Sequence, residues 1–282
     1  MTAVTTQSGF TDDAAESHIT HPERKHEKYE RLIARAKSVP PIRTAVAWPC
    51  EVHALEGPVE AAREKIIKPV LVGSEALIRD VAGKANLDLA GCDIVDFPTE
   101  ESAAAGAVSL VQEGKAHAIM KGSLHTDELL SAVLPEATGL RTGRRMSHVF
   151  VMDVPSYPRP LLISDAAINI YPKLQEKVDI VQNAIDLAIV LEIEEPKVAV
   201  LSAVETVNPN IASTLEAAAL CKMADRGQIK GGVLDGPLAF DNAINVDAAR
   251  TKGIVSLVAG RADVLIVPDL ESGNMLAKQL SY

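Results

Sequence analysis

The sequence predicts an α/β protein of two domains, each a mainly parallel sheet flanked by helices. Three observations predict it. From residue 43 onward, short aliphatic runs alternate with helical segments. The links between them are short, which favours right-handed crossovers within one sheet. Aromatic residues make up 3% of the 282 positions, against 47% hydrophobic overall, so Ala, Val, Ile and Leu must fill the interior. That is the composition of strands buried on both faces.

Residues 1–22 are rich in Thr, Ser, Asp and His and read as a disordered, solvated tail. A charged helix follows from Pro22 to Lys37, with Tyr29, Leu32, Ile33 and Ala36 on one face. Four strand–helix repeats come next. The strands are Arg43–Trp48, Lys68–Gly73, Asp93–Asp96 and Ala116–Met120, and they predict a parallel sheet. The pattern then changes. Ser147–Met152 and Pro160–Ser164 read as a hairpin. A helix from Leu174 to Leu191 leads to the strand Lys197–Leu201, and a second helix covers Ser213–Arg226. Gly232–Asp235 and Val264–Val267 read as strands, with a helix near Val246–Lys252 between them. The domain change is placed where Gly139, Thr142, Gly143 and three arginines cluster, giving domains of 23–143 and 144–282.

The net charge of −10 opposes nucleic acid and anionic membranes as partners. The shortage of aromatics removes the stacking platforms that single strands need. No apolar run reaches the roughly 18 residues of a membrane span, and the first 20 residues hold no signal-like apolar core. Cys50, Cys92 and Cys221 are odd in number and far apart, as in a reduced, cytoplasmic protein.

In open α/β sheets, ligands bind beyond the carboxyl ends of the strands. The polar residues at those positions are Lys121-Gly122-Ser123, Asp165, Ser202 to Glu205, Asp235-Gly236-Pro237 and Pro268 to Asn274. Lys121, Ser123 and Thr126 suit an anion, and Gly122 would admit it close to the backbone; the same stretch also reads as a turn capped by Ser123 or Thr126. The order of a P-loop is absent. Arg141, Arg144 and Arg145 are the densest cationic cluster, able to grip phosphate or simply to form a solvated loop. Ser147 and His148 are adjacent, so in a strand they face opposite ways and cannot form a nucleophile–base pair. Asp235 and Asp241 read as helix-capping or arginine-positioning groups. No histidine spacing matches a metal site.

Taken in order, these blocks resemble the phosphate acetyl/butyryltransferase family, in its phosphotransbutyrylase-like branch. The likeness rests on Met120-Lys121-Gly122, Ser147-His148-Val149, Ser164 through Asn169, and Lys197-Val198-Ala199 leading into Ser202-Ala203-Val204-Glu205. It continues through Asp235-Gly236-Pro237-Leu238 with Asp241, Ala259 through Asp263, and Pro268 through Asn274. The resemblance implies an architecture similar to isocitrate and isopropylmalate dehydrogenases, a homodimer, and a site in the interdomain cleft. It implies exchange of a short acyl group between coenzyme A and phosphate, with acyl-CoA, phosphate and acyl phosphate as substrates. CoA thiolate attacks acyl phosphate directly, with no metal and no permanently bound cofactor.

On this resemblance Ser147, Asn274 and Asp235 are expected in the catalytic set. Lys121, Gly122, Ser123, Thr126, Arg144, Asp165, Glu205, Gly236, Pro237, Asp241 and Gly273 are expected around the phosphate and CoA. Asp235, Asp241 and Glu205 are expected to organise the cleft rather than to act as the base. The family also implies a further helix, a returning strand and a Ser-Arg motif after Asn274. The sequence runs to Tyr282 without any Ser-Arg pair, so an exposed edge on the first sheet is expected. Two other readings stay open: a CoA- or phosphate-binding or dimerising protein without turnover, and an NAD-dependent decarboxylating dehydrogenase on the same architecture.

Overall fold

The computed structural model describes residues 26–281. The tail reading for residues 1–22 lies outside them. Helix α1 (Glu27–Lys37) is followed by β1 (Ile42–Ala47), α2 (Val52–Arg63), β2 (Ile67–Gly73), α3 (Glu75–Ala85), β3 (Asp93–Asp96), α4 (Glu100–Gln112), β4 (Ala118–Lys121) and α5 (Thr126–Val133). Strands β1 to β4 form one parallel sheet in the order β3-β2-β1-β4. Central β1 buries Ala45, Val46 and Ala47 completely. At the edge, Ala118, Ile119 and Met120 of β4 are only partly buried.

Residues 134–149 carry no helix or strand. The chain then forms β5 (Phe150–Met152), β6 (Leu161–Ser164), α6 (Leu174–Val190), β7 (Lys197–Leu201), α7 (Ala212–Asp225), β8 (Val233–Leu238), α8 (Phe240–Ile244), α9 (Val246–Thr251), β9 (Val264–Ile266) and α10 (Leu270–Leu280). The second sheet runs β5-β6-β9-β7-β8. Only β5 is antiparallel, closing the expected hairpin with β6. Aliphatic clusters cover both of its faces.

Two readings of local structure change. Pro268 to Asn274, read as polar residues beyond a strand end, mostly belongs to α10, which begins at Leu270. Asp269 accepts the Ser272 amide there, closing a capping box that stops the strand and starts the helix. Asp235-Gly236-Pro237 does not follow a strand but lies inside β8, which continues to Leu238 across a register shift against β7.

Helix α1 buries no side chain, and Tyr29 is exposed, so an apolar face does not hold it. Charge does. The Lys28 ammonium, one-tenth exposed, meets Asp153 at 2.8 Å and the carbonyls of Val154 and Tyr157 at 2.9 Å each. Arg35 pairs with Glu192 and Lys37 with Glu64, the latter at the end of α2. The helix therefore straps the β5–β6 hairpin and the end of α6 to the first sheet's layer. The two outer pairs are exposed and contribute at most about 1 kcal/mol each. Lys28 is different, because removing it leaves a shielded carboxylate and two carbonyls without their donor. Lys28→Met is expected to lower stability by about 2 kcal/mol in chemical denaturation, whereas Arg35→Met stays within about 1 kcal/mol.

Gly122 shows how the first sheet closes. Its amide donates to Ala47 O, and the next amide donates to Trp48 O. A Cβ built at Gly122 would lie 2.4 Å from Trp48 O, with backbone rather than a movable side chain in the way. Gly122→Ala is expected to cost about 1–3 kcal/mol. Gly83→Ala, in α3 with open space around it, is expected to stabilise by about 0.4–1 kcal/mol. Thermal unfolding of the two variants checks both signs.

Candidate active site

Beside the edge strand β4 lies a cleft of about 1210 Å³. One wall comes from β4 and α5, with Ile119, Leu129, Val133 and Leu134. The other comes from residues 140–149 together with Ile168, Asn169 and two positions on α6, Asn183 and Leu187. Elements of both sheets thus enclose it. Its lining is apolar along α5 and cationic along the arginine segment.

The arginine segment is shaped by a polar stripe on α6. Glu176, Asp179, Asn183 and Asp186 recur at helical spacing and face it. Asp179 accepts the Arg145 amide at 2.9 Å, and Asn183 donates to Arg145 O and to Ser147 Oγ at 2.9 and 2.8 Å. Arg144 pairs with Asp186 at 2.5 Å and reaches Asn183 Oδ1. Arg145 pairs with Glu176 at 3.0 Å and donates to Asn169 Oδ1. Arg141 also lines the cleft, is exposed, and has no ion pair among the described residues. The sequence reading missed α6 as the organiser, although its stripe of carboxylates and amide was there to be read.

Ser147 and His148 precede β5 rather than lying in it, so the reason first given for keeping them apart does not apply as stated. The outcome is the same. Ser147 and Val149 line the cleft, whereas the His148 ring turns away and packs edge-on against Phe150, centroids 4.4 Å apart. Burial holds its pKa below the ordinary value, so it packs as a neutral ring.

Of the sequence candidates, Ser147 and Arg144 line this cleft, and the others do not. Lys121 is exposed, and its ammonium donates to the carbonyls of Gly122 and Leu124 at 3.1 and 2.8 Å. Ser123 Oγ donates to Trp48 O. Neither Ser123 nor Thr126 caps α5, whose N-cap is His125 without a side-chain bond. The space expected beside Gly122 for a ligand is filled by Trp48 backbone.

Asp165, 3% exposed, is saturated with donors. Its Oδ1 accepts the amides of Ala167 and Ile168 at 2.9 Å, and its Oδ2 accepts the His148 amide and Asn169 Nδ2 at 3.1 and 2.6 Å. It holds the loop rather than a ligand. Asn274 Nδ2 donates to Ala166 O at 3.1 Å. A Cβ at Gly273 would sit 2.7 Å from Val267 and 2.9 Å from Asp165 O, so that glycine lets α10 close onto this loop.

Asp235 accepts the Gly236 amide at 2.8 Å, and the Gly236–Pro237 peptide is cis. Glu205 pairs with Lys252 at 2.9 Å, a bond that holds its carboxyl below the usual range. Exposed Asp241, on α8, adds to the field that raises Lys252. The cysteines are poor nucleophiles at neutral pH: burial pushes Cys50 up to about 11 and Cys221 up to about 12, and raises Cys92 as well.

Asp165→Ala is expected to destabilise the protein by on the order of 3 kcal/mol, because two loop amides and a buried amide group lose a charged acceptor together. Urea titration measures it. A change below about 1 kcal/mol would show that the loop holds its shape without the carboxylate.

The model of the phosphate acetyl/butaryl transferase family matches residues 100–282. A phosphate acetyltransferase of Rhizobium meliloti is 61% identical over 255 residues, which cover 90% of this chain and 81% of that protein. A phosphate butyryltransferase of Clostridium beijerinckii is 44% identical over 254 residues, covering 90% and 84%. Among solved structures, a branched-chain phosphotransacylase from Enterococcus faecalis V583 superposes with a TM-score of 0.72 at 28% identity, covering 85% of this chain and 84% of that one. The chain belongs to the phosphate acetyl/butyryltransferase family.

Proposed function

We propose that this protein exchanges a short acyl group between coenzyme A and inorganic phosphate in the cleft beside β4. The observation that carries the reading is the composition of that cleft: the Arg141 guanidinium, without an ion pair among the described residues, a hydroxyl fixed at Ser147, and an apolar wall along α5. An acyl phosphate has the same three parts, an anion, a polar carbonyl and a short hydrocarbon tail. Arg141 holds the phosphoryl group, with Arg144 beside it. Ser147, whose oxygen accepts from Asn183, keeps its own hydroxyl proton free to donate to the carbonyl oxygen as charge develops there. The acyl chain lies against Leu129 and Val133.

The reaction needs no covalent enzyme intermediate. The CoA thiol gives up its proton, which ends on the departing phosphate, and the thiolate attacks the carbonyl carbon. A C–S bond forms, the C–O bond to phosphate breaks, and phosphate leaves. Most of the acceleration then comes from holding two anions close and aligned. In this reading Lys121, Gly122, Ser123, Thr126, Asp165, Glu205, Asp235, Gly236, Pro237, Asp241, Gly273 and Asn274 lie outside the lining of the cleft, and Asp165 supports its wall through the His148 amide and Asn169. The cleft in this reading separates domains 23–143 and 144–282 of a cytoplasmic homodimer. CoA is a substrate, not a resident cofactor.

Thioester formation from acetyl phosphate and CoA tests the activity, with propionyl and butyryl phosphate compared alongside. Arg141→Ala is expected to raise the KM for the acyl phosphate about tenfold, the loss of one charged hydrogen-bonding group, with the KM for CoA little changed. Ser147→Ala is expected to lower kcat instead. An Arg141→Ala enzyme with unaltered acyl phosphate kinetics would remove this cleft from the reaction.

A further inference from the structure

Resting on the acyltransfer reading, we propose that Tyr171 and Lys173 form the landing site for the adenosine-phosphate end of coenzyme A at the mouth of the cleft. Tyr171 is the most exposed aromatic side chain among the described residues, at 68%, and its neighbour Ile170 is 60% exposed. Leaving a large ring in water is unremarkable by itself; fixing it there is not. The Tyr171 hydroxyl donates to Glu271 Oε2 at 2.8 Å, and the Leu270 amide donates to Ile170 O at 3.0 Å, so two bonds tie this loop to the first turn of α10. Asp165 secures the other end of the same loop through Ala167 and Ile168. The ring is therefore held at its edge by the hydroxyl while it stays open to solvent, as a stacking platform requires.

Position supports the same conclusion. Ile168 and Asn169 line the cleft, and Tyr171 follows Asn169 by two residues, at most about 7 Å along the chain. Lys173 is exposed, and its ammonium has no partner among the described residues. An exposed aromatic ring two residues along the chain from a lysine without a partner among the described residues, just outside a cleft that takes a thioester, suits a nucleotide: the base stacks and the phosphate pairs. The pantetheine arm then runs inward to the acyl group.

Calorimetric titration with CoA, which does not depend on turnover, is the first measurement. Tyr171→Ala is expected to weaken CoA binding about tenfold. Tyr171→Phe, which keeps the ring but loses the bond to Glu271, is expected to bind more weakly than wild type and more tightly than Tyr171→Ala. Lys173→Ala is expected to weaken CoA while leaving pantetheine unaffected. In kinetics, Tyr171→Ala should raise the KM for acetyl-CoA but not for acetyl-pantetheine, which lacks the nucleotide. Unchanged CoA affinity in Tyr171→Ala would overturn the proposal and leave the acyltransfer reading standing. CoA binding that depends on Tyr171, without any acyl transfer, would sustain the landing site and remove the reaction. Light scattering closes the remaining route: if Tyr171→Ala changes the oligomeric state but not CoA affinity, the ring belongs to a contact between copies and the proposal fails.

Discussion

One buried carboxylate organises the second half of this molecule. Asp165 gathers four N–H donors from two stretches of chain: His148 in the segment entering β5, and Ala167, Ile168 and Asn169 in its own loop. Asn169 in turn donates to Met146 O and accepts from Arg145. The position of the arginine segment is therefore set from inside the second sheet, through Asp165 and then Asn169. A charged acceptor suits this work because each bond is stronger than one to a neutral oxygen. Four donors also replace the water that the carboxylate loses on burial. A neutral group here would leave the loop amides without a partner, and the cleft wall would lose its support.

The second constraint is electrostatic. A chain of net charge −10 must present positive charge to an acyl phosphate, yet it pairs two of its three clustered arginines with acids on α6. The pairing is not wasted. Exposed ion pairs contribute little to stability, so their value lies in orientation: they fix residues 144–147 against α6 and point Ser147 into the cleft. That leaves Arg141 without a carboxylate among the described residues, and a guanidinium without such a partner can take a phosphate without first giving one up.

Much of the fold was legible because local rules and packing agree. Strand β3 begins and ends where the apolar run Asp93–Asp96 does, and α3 starts where Ser74 caps it. The misreadings share one cause, which is that short polar stretches serve several purposes. Asp269 and Ser272 read as polar residues beyond a strand and instead close a capping box; Gly273 just after them, expected around the ligand, sits inside a helix against Val267 and Asp165 O, which leave no room for a Cβ. Gly122 looked like a door for a ligand and is instead a contact between two backbones. Neither fact has a sequence signature, since both depend on what arrives from 75 or 100 residues away. The Arg–α6 contacts were readable in principle, because Glu176, Asp179, Asn183 and Asp186 share one helical face.

The rule that ligands sit beyond the carboxyl ends of parallel strands holds only in part here. Lys121 does lie at the end of β4, but the loop after β4 folds back on the loop after β1, and Lys121 turns its ammonium onto its own backbone. The crevice that the strand order opens is thereby filled. The open space lies to the side instead, where β4 has no neighbour and α5 shows its apolar face. An edge strand is normally a hazard for aggregation. In this protein the 140–149 segment faces that edge across the cleft, and that segment is tied to α6 and Asp165. The bonds that set the far wall therefore also set the width of the cleft along the edge, so the shape of the candidate site rests on contacts made within the second sheet's layer.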